Sequence, residues 1–106
     1  QITERVGTNL YESIREEIRC KYLNDGYIVK SGYQYGCDYI LYERKGEDHS
    51  HGIALVLIRD PESTISVDDE IKSFSRLASI VHKRAQYVIF DNHCLRIYDI
   101  VKERRK

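Results

Sequence analysis

A chain of 106 residues in which 17 Lys and Arg balance 17 Asp and Glu has no net charge, so any hold on a polyanion must come from a local basic patch. Its length fits one domain with a single modest core, and a charged share of 32% with a mean hydropathy of −0.54 fits a soluble protein. No apolar run approaches the roughly 20 residues that cross a bilayer, and the opening Gln1-Ile2-Thr3-Glu4-Arg5-Val6 lacks the apolar stretch of a secretory leader; the absent initiator methionine predicts a fragment of a longer chain.

Residues 9–23 predict a helix, with Leu10, Ile14, Ile18 and Tyr22 on one face at spacings of four. Asn24-Asp25-Gly26 is a stop and turn signal. A short strand over 27–30 runs into Ser31-Gly32, a second strand covers 37–42 and a third covers 52–59. The third holds the apolar run Ile53-Ala54-Leu55-Val56-Leu57-Ile58, as expected of a strand covered on both faces. Asp60-Pro61-Glu62-Ser63, with the only proline, is a loop. Ser66 then caps a helix over 67–83, whose first turn carries Asp68, Asp69 and Glu70, where negative charge suits the helix dipole. Ile71, Phe74, Leu77, Ala78 and Val81 form its apolar stripe. Strands over 86–90 and 94–101 follow, joined by Asp91-Asn92-His93, and 102–106 form a solvated tail. The order α-β-β-β-α-β-β predicts an α/β fold, a small mixed β-sheet of about five strands flanked by two helices, with residues 1–106 in a single domain.

Cys20, Cys37 and Cys94 are odd in number and widely spaced, which predicts free thiols in a reducing compartment. His49, His51, His93 and Cys94 do not have a structural zinc spacing, so neither a metal nor another cofactor is expected. Nine tyrosines against two phenylalanines and no tryptophan favour rings that keep a hydroxyl for hydrogen bonding. Asp38 with Glu43-Arg44-Lys45 imitates the acid…Glu-x-Lys signature of metal-dependent nucleases. The two acids stand too close in sequence for the usual strand-to-strand arrangement, and Asp38 is expected to fix a turn through backbone hydrogen bonds. The acidic residues from Asp60 to Glu70 read as a solvated loop and a helix start, with docking on a partner subunit as the rival role.

Four words then stand in series: Gly26-Tyr27-Ile28-Val29-Lys30-Ser31-Gly32; Tyr35-Gly36-Cys37-Asp38-Tyr39-Ile40-Leu41-Tyr42; His49-Ser50; and Arg76-Leu77-Ala78 with Lys83. In kind, order and spacing they resemble the tRNA-intron endonucleases over about residues 22–90. The resemblance implies a restriction-nuclease-like catalytic domain, assembly with other endonuclease subunits as a homodimer, homotetramer or heterotetramer, and cleavage of precursor tRNA at exon–intron junctions. It implies Tyr42, His49 and Lys83 as catalytic residues. His51 and Arg84 are their sequence neighbours and rivals; the family pattern favours His49, which precedes a small residue and then a strand, and Lys83, which keeps the spacing. Arg76, seven residues before the lysine, corresponds to an arginine that stacks on a bulged nucleotide, a task suited to a guanidinium plane. Arg96 is the candidate for the second arginine of that pair. An intracellular location follows, nuclear in a eukaryote and cytoplasmic in an archaeon, with no membrane partner.

These residue types suit RNA cleavage without a metal. The neighbouring 2′-hydroxyl attacks the phosphorus, one group takes its proton, another protonates the departing 5′-oxygen, and a cation steadies the phosphorane. Histidine, with an ordinary pKa near ~6.5, serves either proton task near neutrality. Tyrosine, ordinarily near ~10, is a natural donor to an alkoxide, or a base where cations favour its phenolate. Lysine supplies fixed positive charge. The products are a 2′,3′-cyclic phosphate and a 5′-hydroxyl end. The sequence leaves open which of Tyr42 and His49 is acid and which is base. The rival functions are a non-catalytic structural subunit of the same complex and a metal-dependent nuclease of similar fold.

Overall fold

The computed structural model describes residues 6–44, 52–91 and 94–101, with side chains from Leu10 onward. In chain order the elements are α1 (Val6–Asn24), β1 (Tyr27–Ser31), a 3₁₀ turn (Tyr33–Tyr35), β2 (Tyr39–Glu43), β3 (Ala54–Ile58), α2 (Val67–Val81), β4 (Arg84–Asp91) and β5 (Cys94–Ile100). The strands lie in the order β1-β2-β3-β4-β5. Neighbours are antiparallel except β3 and β4, which are parallel and joined through α2. This is the mixed sheet between two helices that the element order predicts. No helix among the described residues is long and apolar enough to cross a membrane.

The sheet separates two apolar clusters because successive strand side chains point to opposite faces. Tyr39, Leu41, Ala54, Val56 and Val88 meet Ile14, Ile18 and Tyr22 of α1, the face set out by the four-residue spacing. Ile40, Leu55, Ala85 and Tyr87 meet Phe74 and Ala78 of α2. Leu55 and Val56, adjacent on β3, are both fully buried, each under a different helix, as the unbroken apolar run requires.

α1 begins three residues earlier than expected, at Val6, and β3 is shorter, Ala54–Ile58; three further boundaries depart from the sequence expectation. β2 begins at Tyr39 instead of residue 37, because the 3₁₀ turn and left-handed Gly36 carry Cys37 into a turn in which its N–H binds the Gly32 carbonyl at 3.1 Å. α2 is capped by Ser66, whose Oγ accepts from Asp69 N–H at 3.1 Å, but it ends at Val81 and not at residue 83. His82 adopts the left-handed conformation, φ 59°, and stops the helix as a C-cap does. Lys83 therefore lies in the link to β4, and β4 begins two residues earlier than predicted, at Arg84.

Asp38, 7% exposed, is the buried charged side chain among the described residues. Its Oδ1 accepts from Tyr11 Oη at 2.6 Å and from Arg15 Nε at 2.9 Å, and its Oδ2 accepts from Ile58 N–H at 2.7 Å. The expected local turn is thus replaced by a tie joining α1 to the far ends of β2 and β3. Arg15 also lies over the Tyr39 ring, 5.1 Å from its centroid, and accepts the Tyr39 hydroxyl on its carbonyl at 3.1 Å. A second tie has Glu70 accepting from Tyr87 Oη and pairing with Arg59 at 3.0 Å, which secures the start of α2 over β4. The acidic loop is structured locally: Asp60 Oδ1 accepts from Glu62 N–H at 3.0 Å. Cys20, Cys37 and Cys94 are free thiols.

Burial is the first cause that pushes up the pKa of Tyr11, Tyr22, Tyr39 and Tyr87, the last to about 12. The folded state holds these protons where the unfolded chain releases them near pH ~10. Their contribution to stability is therefore complete below about pH 10 and is lost as pH rises through the folded values. Alkaline titration is expected to show these four phenolates appearing together with unfolding, read as coincident ultraviolet absorbance and circular dichroism changes.

Candidate active site

β2 leaves the sheet at the end where β3 and β4 enter it, and this brings distant residues to one corner. Leu41 pairs with Ala54, and Ala54 with Arg84. One residue further out, Ile53 N–H binds the Leu41 carbonyl at 2.8 Å and Arg84 N–H binds the Ile53 carbonyl at 3.1 Å. Tyr42, Ile53 and Lys83 consequently share a level. Tyr42 is half-buried at the edge of the cluster under α2.

Gly52 is where the two predicted side chains meet. Lys83 Nζ donates to its carbonyl at 3.0 Å. A Cβ built on Gly52 would lie 3.6 Å from Tyr42 Cζ, the carbon that bears the hydroxyl. The same Cβ would stand 2.4 Å from Ile40 Cγ2, and Ile40 is buried, so the position has room for glycine alone. Gly52→Ala is expected to cost about 1–3 kcal/mol through overpacking, measurable as a lowered denaturant midpoint.

His49 precedes Gly52 by three residues in the sequence and, with His51, lies outside the described residues. So does His93; among the described residues there is no group of three His, Cys, Asp or Glu able to hold a metal. Asp38 and Glu43 do not form an acidic pair. Asp38 is buried against Arg15 and Tyr11 at the start of β2, and Glu43 is exposed at its other end. Arg84, the rival cation to Lys83, is turned away and pairs with Asp99 at 3.3 Å.

Arg76 is exposed on α2 and Arg96 is exposed on edge strand β5. Glu70, on the same helix as Arg76, is engaged by Arg59, and no hydrogen bond or ion pair joins either arginine to another described residue. Arg96 pairs with Ile89, six residues along the chain from Lys83 and so about 20 Å along the strand from the Tyr42–Lys83 level. Arg96 is therefore not brought into that corner.

Sequence reasoning missed Lys30. It lies on β1 two residues from Ile28, the register partner of Tyr42, and its Nζ stands 5.1 Å from the centroid of the Tyr42 ring. Strand alternation gives its face, but only the pairing of β1 with β2 shows what it meets.

Fold and register together define a three-layer α/β domain with a tyrosine and a lysine converging at one end of its sheet. The family described as tRNA intron endonuclease, catalytic C-terminal domain, matches residues 13–97, and this chain belongs to it. A tRNA-splicing endonuclease of Methanococcus vannielii is 38% identical over 68 residues, which are 64% of this chain and 38% of that protein. One from Methanothermobacter thermautotrophicus is 37% identical over 70 residues, 65% of this chain and 41% of that protein. The match thus spans about two fifths of the length of these curated relatives.

Proposed function

We propose that this chain supplies the catalytic domain of a tRNA-splicing endonuclease that cuts precursor tRNA at exon–intron junctions without a metal. The observation that carries the reading is the meeting of Tyr42 and Lys83 at Gly52, the first described residue after the segment that contains His49. An ammonium has three donors. The Gly52 carbonyl takes one, leaving donors that can be aimed at the non-bridging oxygens of a phosphodiester. Fixed in advance by that carbonyl, the charge stabilises the phosphorane with little reorganisation. Tyr42 and His49 divide the proton transfers from the 2′-hydroxyl and to the leaving 5′-oxygen, giving 2′,3′-cyclic phosphate and 5′-hydroxyl ends. Exposed Arg76 and Arg96 contact nucleotides of the same substrate, in an assembly with further endonuclease subunits.

The test is cleavage of an intron-containing precursor tRNA by the assembled enzyme in excess EDTA, with end-group analysis of the products. Clean cuts with cyclic phosphate ends, lost in His49→Ala and retained in His51→Ala, are expected. Activity abolished by EDTA and restored by magnesium would instead establish a metal-dependent nuclease. Stable incorporation into an active complex whose cutting ignores Tyr42, His49 and Lys83 would make the chain a structural subunit.

A further inference from the structure

Among the described residues Lys30 is a cation with no acid to balance it. On its face of β1 and β2 the neighbours are Ile28, Ile40 and Tyr42. Glu43 pairs with Tyr27, one residue out of phase and so on the opposite face, and Asp38 is consumed by Arg15 and Tyr11. Among the described residues Lys30 has no salt bridge, unlike Arg15, Lys21, Arg59 and Arg84. Its ammonium instead lies over the face of Tyr42, 5.1 Å from the ring centroid, a contact that favours a cation electrostatically. From the β3 side the same tyrosine is approached by Gly52, whose carbonyl holds Lys83. Tyr42 thus has one ammonium over its ring, exposed and without a salt bridge among the described residues, and beside it a glycine whose carbonyl fixes a second. In a chain of zero net charge, such a local pair decides where a polyanion is drawn.

We propose that Lys30 is a substrate-binding residue that takes a phosphate of the RNA backbone beside the scissile one and so fixes the side of Tyr42 along which the strand runs. This rests on the reading of Tyr42 and Lys83 as the reacting corner. The ligand class is a phosphodiester, and the contact is a point charge, so it is independent of sequence. Lys30 does not exchange a proton or touch the bond that breaks. It acts on binding, and a loss there appears in KM.

The assembled enzyme is tested with Lys30→Met, which keeps the aliphatic stem, Lys30→Arg, which keeps the charge, and Lys72→Met, which removes an exposed charge on α2. Binding of a precursor tRNA carrying a 2′-deoxy nucleotide at the cleaved position is followed by fluorescence anisotropy across a salt series, and steady-state cleavage is measured in parallel. Lys30→Met is expected to weaken binding about tenfold, as loss of a charge-assisted contact does. It should also reduce the slope of log K against log salt by about 0.7, one single-strand phosphate contact. KM rises with kcat nearly unchanged, Lys30→Arg restores both readouts, and Lys72→Met leaves them as in the wild type. An unchanged slope in Lys30→Met, or a fall in kcat at constant KM, overturns the assignment. Wild-type enzyme that binds the deoxy substrate with this Lys30 dependence but cuts no RNA overturns the proposed function and leaves the phosphate contact standing. Failure of the wild type to bind overturns both.

Discussion

Lys83→Ala is expected to lower kcat for precursor tRNA cleavage by about 10²–10³-fold, the usual loss when a fixed group facing developing charge is removed. In the proposed mechanism the Nζ–Gly52 bond at 3.0 Å holds the ammonium before substrate arrives, so the wild type has little to rearrange as the phosphorane forms. Removing the side chain takes away the charge while the backbone hydrogen bonds that set the register of Ile53 and Arg84 remain. The structural cost is therefore about one hydrogen bond, ~1 kcal/mol, and thermal unfolding should move little. Lys83→Arg should rescue poorly, because a planar guanidinium cannot reproduce a compact ammonium donating to one carbonyl. Steady-state cleavage across a series of substrate concentrations checks the result. A rise in KM with kcat unchanged would place Lys83 in binding and not in charge stabilisation.

Asp38→Ala is expected to have the opposite signature, a large loss of stability with chemistry retained in the molecules that stay folded. The substitution leaves Arg15 half-buried without its carboxylate, the Tyr11 hydroxyl without its acceptor and the Ile58 N–H unsatisfied. Breaking a buried charge pair from one side costs about 3–5 kcal/mol, which for a domain of this size lowers Tm by on the order of 15 °C. Asp38→Asn keeps an acceptor for Ile58 N–H but loses the charge opposite Arg15, and should fall between. Because Asp38 precedes β2 and Tyr42 lies near its other end, kcat per folded molecule at low temperature should remain near the wild type. Denaturant titration with parallel cleavage assays separates the two effects.

The sequence announces what depends on near neighbours. The α1 face from Leu10 to Tyr22, the Ser66 cap with its acidic first turn and the two-sided burial of β3 all follow from local periodicity or capping chemistry. The end of α2 does not, because the left-handed stop falls on His82, a residue that carries no glycine-like signal. The role of Asp38 was hidden for another reason: Tyr11, Arg15 and Ile58 lie 20 or more positions away in the chain. Tyr42 and Lys83 stand out through motif resemblance, yet their meeting at Gly52 needs the register of three strands. Lys30 shows the same limit, since a charged strand residue reads as solvated until its cross-strand neighbour is known.

The strand order has a kinetic consequence. Each strand lies beside its predecessor, so β1–β2 and β4–β5 can each zip as local hairpins with little loop-closure entropy. The parallel joining of β3 to β4 instead requires α2 to be laid across the sheet, and that step alone sets Lys83 against Gly52. Refolding should therefore regain hairpin structure before it regains a competent corner. The last piece of order to form is the one on which the proposed cutting depends, so on that reading a nascent or half-folded chain would not cleave RNA before its core has closed.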